Sequence, residues 1–567
     1  MAQIEGTDGN DTLNGTGEDD LIFGREGADT INGGAGNDRI ESDRYLEFIQ
    51  VNPNDPFSII TITHDDDGAA DAIDGGNGID WARLNFQLTT TGITLDFSDP
   101  AVQQTAPDGT TVVNVEQIEF TGGSSGDIVQ AGDLDDVLKG GGGVDVLFGG
   151  GGNDSFTTSF GSGSDALEGG DGIDKAIIDQ RFATAGGTYD FSNPENVVIL
   201  AGGTELVNIE QIDIDLSEHA ETVTGAGFAD EIDGKGGDDT LRGGGGDDIL
   251  LGGMGIDTVF GDGGDDRLKA IDGEGADTID GGSGIDVIDI HFAFRTAAAS
   301  LDFSNPNAIT TLTDGSTMVN VERVIVTAGK GDDTITGGAY DDSLKGLEGT
   351  DTLNGGAGND FIIGDGEGVP IDQSGNDVLS GGEGDDNISS GYGNDDLFGG
   401  DDNDDLSGRQ GTDELYGEGG DDTLHILWNE GGDILDGGSG IDLADIAFSM
   451  GGPTADQVHD FSVAGNKVLA DGSTLVSIER VNFSSGSGND FLVGGAYDDK
   501  LFGNGGGDTL QGGGGKDELL GGTGSDQLFG GAGDDSFSFT LGDAADKDAI
   551  DGGADIDFIF INHNHPS

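Results

Sequence analysis

An aspartate returns every nine residues in this chain, and an apolar residue returns two places after it. Residues 243–260, GGGGDDILLGGMGIDTVF, hold two such lines end to end: Asp248 and Asp257 take the sixth place, Leu250 and Val259 the eighth. The phase holds at Asp11, Asp20, Asp29 and Asp38, with Leu13, Ile22, Ile31 and Ile40 in step. It resumes at Asp127, Asp136, Asp145 and Asp154, and again at Asp230, Asp239, Asp248, Asp257 and Asp266. A fourth run has Asp333, Asp342, Asp351 and Asp360, then, after one slip, Asp377, Asp386, Asp395, Asp404, Asp413 and Asp422. The last run has Asp490, Asp499, Asp508, Asp517, Asp526 and Asp535. Asp71, Asp80, Asp165, Asp174, Asp277, Asp286, Asp433 and Asp442 take the same place at the borders of longer segments. Glycine-rich chains give short accidental matches, but they do not keep phase through five or six units. A tandem period of this length signals a solenoid.

Each line divides into a turn and a strand. The first six residues, as in GGAGND at 33–38, are turn chemistry, since glycine reaches positive φ freely and Asn and Asp tolerate it. The last three, as in RIE at 39–41, suffice for a very short strand whose central residue points inward. Two lines then make one coil. Residues 18 apart stack in one parallel sheet, about 4.8 Å apart, and residues nine apart face each other across a thin core. The expected fold is all-β: a right-handed parallel β-roll, or β-helix, solenoid. About 25–30 coils would make a rod of about 120–145 Å.

Stacking creates an electrostatic problem. Asp239 and Asp257 lie one coil apart on the same edge, and the chain carries 112 acidic against 21 basic residues, a net charge of −91. Such self-repulsion opposes compaction, and only 33% of residues are hydrophobic. A hard divalent cation between turns removes the cost. Calcium takes six to eight oxygen ligands in flexible geometry from carboxylates and carbonyls, whereas magnesium demands a tight octahedron. Transition metals favour Cys, which is absent, and His, which is scarce. The acidity also disfavours nucleic acid and anionic membrane as partners. Disulfides cannot hold a chain without cysteine. No apolar run reaches the roughly 18 residues a membrane span needs. The start, MAQIEGTDGNDTLNGTG, lacks the pattern of a Sec-type signal peptide.

The lines match GGxGxDxUx, and over a little more than half of the chain the array resembles the repeats-in-toxin (RTX) family of haemolysin-type calcium-binding nonapeptide repeats. The resemblance implies calcium in both rows of turns of the β-roll, bridged by the sixth-place aspartates, about one ion per nonapeptide. It also implies export from a Gram-negative-type cell by a type I system. About one Ca²⁺ per line would bring roughly 30–35 ions and leave a net charge of about −20 to −30, ordinary for a soluble surface.

The nonapeptide blocks span 1–41, 127–172, 225–284, 329–440 and 486–541. Residues 42–70 form a unique excursion, expected as a hairpin or an enlarged coil. Four inserts, 71–126, 173–224, 285–328 and 441–485, share a plan. Each has a GID, then a DFS triplet at Asp96, Asp190, Asp302 or Asp460, then a strand phrase such as VNVEQIEF at 113–120. They are expected as wider coils with longer strands on the same axis. Glu116, Glu210, Glu322 and Glu479 recur in register within them, as solvent-facing or ladder partners, extra calcium ligands, or contacts to a glycan. Residues 542–567 copy the start of the first insert, as an incomplete fifth module or a cap. No C-terminal secretion segment is recognisable there, which puts the export route in doubt.

No catalytic residue is expected. The histidines, His64, His219, His291, His425, His459, His563 and His565, form no HExxH, so the zinc protease that often precedes such repeats is not expected here. The GGSSG at 122–126 matches GxSxG but lacks the strand and helix of a nucleophile elbow. The expected function is a secreted or cell-surface calcium-binding protein that is not an enzyme. Calcium would fold it into a rigid rod with a structural or adhesive role. Its partners would be calcium and, as open candidates, a cell-surface glycan or further copies of itself. Two other functions stay open: the repeat region of a larger secreted enzyme or toxin, and a glycan-binding adhesin that uses the inserts.

Overall fold

The computed structural model describes residues 81–562 except 272–274, 293–294, 367–368, 370–373, 429–431, 449–453, 464 and 541–546; before residue 81 it describes residue 79 and strand segments between residues 3 and 74. Every regular element among these residues is a β-strand. No helix among them is long and apolar enough to cross a membrane. The chain forms two compact units, Met1–Asp286 with Gly315–Met318, and Val287–Asp314 with Val319–Ser567. The division falls in the third insert.

In the first unit, successive nonapeptides place their strands in alternate sheets. Thr240–Gly245 pairs in parallel with Thr258–Gly263, and Glu231–Asp233 with Ile249–Leu251. Leu241 stacks on Val259 and Ile232 on Leu250, the 18-residue register of a two-line coil. The same register links Thr12–Asn14 to Asp29–Asn32. The excursion continues both sheets: Leu46–Gln50 pairs in parallel with Asp29–Asn32 across a register shift, and Ile59–Thr61 with Arg39–Glu41. The second unit repeats the plan, with Val378–Glu383 beside Asp396–Asp401 and Asn387–Ser389 beside Asp405–Gly411. The slip after Asp360 widens one coil, so that Thr352 pairs with Val378, 26 residues on.

The core follows from strand alternation. In Ile249–Leu251 only the central residue is buried. Leu241, Leu250 and Leu268 are fully enclosed. One inward aliphatic side chain per nine residues is a thin core.

The inserts depart from the expected wide parallel coil. One sheet does run through them with longer strands: Trp81–Asn85 pairs with Gln117–Thr121, and Lys175–Asp179 with Gln211–Asp215, each 36 residues apart. Leu443–Phe448 pairs likewise with Arg480–Ser484, 37 residues on. The opposite sheet stops instead. Thr111–Val113 ends it, and an antiparallel strand, Gln104–Thr105, folds back on that end. Val198–Ile199 folds back on Glu205–Val207, and Lys467–Val468 on Thr474–Val476. The cause is local turn chemistry. Gly109, Gly203 and Gly472 sit at φ of 101°, 97° and 105°, where a side chain would be strained. There they close tight turns such as Ala106 N–H to Thr110 O at 2.8 Å. A new sheet then starts at the DFS strand, Thr94–Asp96 in the first insert and Val458–Asp460 in the fourth.

Candidate metal centres

Each sixth-place aspartate sits just before a strand, where the turn hands the chain into the sheet. Every one that the sequence singles out from Asp127 to Asp535 is buried, the most exposed being Asp277 at 7%. The coils bring them into columns. The backbone N–H of one aspartate donates to Oδ1 of the next, one coil later, at 2.7–3.1 Å. In the first unit the columns are Asp127–Asp145–Asp165 and Asp136–Asp154–Asp174, then Asp230–Asp248–Asp266–Asp286 and Asp239–Asp257–Asp277. In the second unit they are Asp333–Asp351–Asp377–Asp395–Asp413–Asp433 and Asp342–Asp360–Asp386–Asp404–Asp422–Asp442. The last two are Asp490–Asp508–Asp526 and Asp499–Asp517–Asp535. Asp11, Asp20, Asp38, Asp71 and Asp80 lie outside the described residues; Asp29 opens its strand, and its side chain is likewise outside them.

The ladder satisfies one carboxylate oxygen and leaves the other. At many block positions the second oxygen is buried with no hydrogen-bond partner among the described residues, as at Asp145, Asp154, Asp248, Asp360, Asp404 and Asp517. Just after each insert at least one aspartate has it satisfied locally. Asp230 Oδ2 accepts from Ala226 N–H at 2.6 Å and Asp342 Oδ2 from Gly338 N–H at 2.6 Å. Burial, which strips water from the anion, is the main cause that pushes Asp154, Asp248, Asp360 and Asp404 up to about 8. The locally satisfied Asp230 and Asp342 rise to about 6, with backbone hydrogen bonds opposing the burial, and so do Asp386 and Asp422, whose second oxygen is bare among the described residues.

The glycines explain the space around these oxygens. A Cβ on Gly243 would fall 2.1 Å from Asp248 Oδ2 and 2.8 Å from Gly261 O; one on Gly417 would fall 2.2 Å from Asp422 Oδ2 and 2.6 Å from Gly437 O. Carboxylate and carbonyl oxygens of two successive turns therefore converge beside a bare glycine. Among the described residues no three Asp, Glu or His side chains are placed to hold a metal by themselves. A cation here must draw on backbone carbonyls as well. That all-oxygen donor set suits calcium and is poor for a softer metal.

The insert residues take other parts. Glu210 Oε2 accepts the N–H of Asp174 at 2.9 Å, and Glu479 Oε2 that of Asp442 at 3.1 Å, so each closes one column where the next aspartate is lacking. Thr204, Ser316 and Ser473 hydroxyls close the companion columns at Asp165, Asp277 and Asp433. The DFS aspartates tie their own turns: Ser98 N–H and Oγ–H both donate to Asp96 Oδ1, at 3.0 and 2.6 Å. Asp190, Asp302 and Asp460 do the same with Ser192, Ser304 and Ser462.

Sequence reasoning missed several members. Asp548 and Asp557 extend the last columns, accepting from Asp526 and Asp535 at 3.0 and 3.1 Å. Their coil is 22 residues long, so the nine-residue phase passes them by, although the likeness of the tail to the region of Asp71 and Asp80 was the available signal. Asp365, off phase within the slip, is buried and accepts Tyr392 N–H at 2.9 Å. A second ladder runs along the fifth place in the opposite sense: Asp135 Oδ1 accepts from Asn153 N–H at 2.7 Å, and Asn376 Oδ1 from Asn394 N–H at 2.9 Å. Glu221, in phase but not an aspartate, is the last.

The model of the RTX calcium-binding nonapeptide repeat (4 copies) matches residues 5–40, 121–156, 224–259, 251–288, 327–362, 372–406, 398–425, 484–519 and 511–543, together just over half of the chain. No curated protein matches the chain.

Proposed function

This chain belongs to the RTX calcium-binding nonapeptide repeat family, and from that premise we propose that it is an exported, non-enzymatic protein whose blocks fold on meeting external calcium and then serve a structural or adhesive role at a cell surface or in a matrix. One observation carries the reading: columns of buried aspartates, many of which keep a buried oxygen with no hydrogen-bond partner among the described residues, as at Asp248 and Asp404. A buried anion without a counter-charge is strongly unfavourable. Calcium supplies that charge, and binding free energy becomes folding free energy. Extracellular modules bind calcium at roughly 10⁻⁴–10⁻³ M, far above cytosolic levels, so the chain stays unfolded before export through a type I route. Circular dichroism in EGTA and then in calcium tests this. A coil spectrum that converts to β on adding calcium is expected; a β spectrum indifferent to chelator overturns it.

A second reading, glycan recognition by an insert, has one observation in its favour. A cleft of about 240 Å³ in the fourth insert is lined by Phe461, Val463, Lys467, Glu479 and Tyr497, with Tyr497 42% exposed. A glycan array probed in calcium with the wild type and Tyr497→Ala decides it: a signal that Tyr497→Ala abolishes supports the cleft, and no signal removes the reading.

A further inference from the structure

Nine residues before Asp230 stands Glu221, in the line LSEHAETVT, which has none of the repeat's glycines. The strand after it, Thr222–Thr224, pairs with Thr188–Asp190, the DFS strand of the second insert. Glu221 therefore holds the place that Asp127 holds after the first insert and Asp490 after the fourth. It is 3% exposed. Its N–H donates to Asp239 Oδ1 at 2.7 Å, which continues the ladder. Ser217 Oγ donates to its Oε1.

Two oxygens then remain. Glu221 Oε2 and Asp239 Oδ2 are both buried with no hydrogen-bond partner among the described residues, and the two residues stand one coil apart in the same column. After the first insert the matching oxygen is satisfied, since Asp127 Oδ2 accepts Gly123 N–H, whereas after the fourth Asp490 Oδ2 is left bare among the described residues as well. Here nothing of the kind is supplied. Gly252 O and Asp239 Oδ2 flank Gly234, whose absent Cβ would fall 2.2 and 2.7 Å from them. Two carboxyl groups buried one coil apart are costly to keep charged without a cation. The oxygens are the hard donors of the blocks, with one ligand longer by a methylene.

We propose that Glu221 and Asp239 hold a calcium ion at the seam between the second insert and the block that follows. Glu221 lies outside the matched repeats, which resume at residue 224, and nothing in the nonapeptide pattern assigns it a ligand role. The inference rests on the reading that calcium fills the sixth-place edges. A shared proton is the competing arrangement.

Hydrogen exchange of the full chain across a calcium titration separates them. Glu221→Gln keeps the shape and an acceptor for Ser217 and removes one charge. Peptides within 212–245 are expected to need about tenfold more calcium for protection, while peptides from 484–535 keep their wild-type midpoint. An unchanged midpoint in 212–245 overturns the proposal. So does greater protection of the variant in chelator, the mark of a shared proton that the amide replaces. If Glu221→Gln stays unprotected at every calcium level, Glu221→Asp, which keeps the carboxylate, retains calcium-dependent protection there; its failure counts against the site. Wild-type peptides that ignore calcium everywhere would instead sink the reading beneath it.

Discussion

The block around Asp248 and the fourth insert solve the same problem with different materials. In the block, each coil buries small aliphatic residues such as Leu241 and Leu250, and its edges carry carboxylates that the protein satisfies by half. In the insert, the ladder positions below Asp490 and Asp499 are Gln457 and Val481, which bring no charge. The core there is aromatic: His459 and Phe461 lie 5.0 and 5.6 Å from Phe483, ring to ring. The other inserts substitute Ile93, Ile118, Ile212, Ala299 and Val324 at those positions. The blocks thus bury charge that the protein itself leaves half unbalanced, and the inserts place uncharged residues at most of the matching positions, Glu221 below Asp239 excepted.

The largest effect follows directly. Chelation is expected to abolish hydrogen-exchange protection throughout Asp230–Asp266 and Asp377–Asp422, where buried Oδ2 atoms such as those of Asp248 and Asp404 lack protein partners. Peptides of the aromatic core, such as Arg480–Ser484, are expected to lose protection later in the titration. Simultaneous loss everywhere would erase the distinction between the two materials.

Acidity should act on the blocks with opposite signs in two conditions. Without calcium, burial pushes Asp154, Asp248 and Asp404 up to about 8 in the folded blocks, from the ordinary carboxylate value of 3.8. The folded blocks then hold more protons than the unfolded chain between about pH 4 and 8, so their stability falls as pH rises through that window and is regained on acidification. With calcium bound these carboxylates must be ionised, and acid competes with the metal. Dichroism melts at pH 5 and pH 8, each with and without EGTA, should therefore cross: acid helps the chelated chain and weakens the loaded one. Parallel shifts would mean that the aspartates are not the calcium ligands.

Phe483→Ala is expected to remove roughly 3–5 kcal/mol, because a large buried ring leaves a cavity. Its effect belongs to packing, so the midpoint of the calcium titration at the distant Asp342–Asp422 peptides should not move. A uniform rise in the calcium requirement would show that insert and block fold as one unit.

These contrasts also mark what a sequence of this kind reveals. The nine-residue phase exposed the coil, its parallel register and the sixth-place columns, since one repeated constraint writes itself at every line. The hairpin arms were hidden although their turns were visible, at PDG in 107–109 and ADG in 470–472. Antiparallel pairing of Gln104 with Val112 spans only eight residues, and nothing in the alternation of VNVEQIEF separates it from another parallel coil. Glu221 escaped because the side chain changed while its place did not. Asp548 and Asp557 escaped because the coil lengthened while the chemistry did not.

Glu479 gives the smallest effect and the finest discrimination. The recurring glutamates of the inserts were open between ladder partner, calcium ligand and glycan contact. Glu479 Oε2 receives the N–H of Asp442 at 3.1 Å, in the manner in which Asp442 itself receives that of Asp422. Glutamine keeps an oxygen at that reach and gives up only the charge. If Glu479 serves only as the hydrogen-bonding end of a column, Glu479→Gln should change stability by no more than about 1 kcal/mol, the net worth of one hydrogen bond. It should also leave the calcium midpoint of peptides around Asp422 and Asp442 where it was. If Glu479 instead completes an ion's shell, losing its charge should raise that midpoint several-fold. The difference matters because the end of a column is where the last cation either sits or is missing. An unmoved midpoint would place the boundary between ion-held and self-held structure at Asp442, the last sixth-place aspartate before the aromatic core.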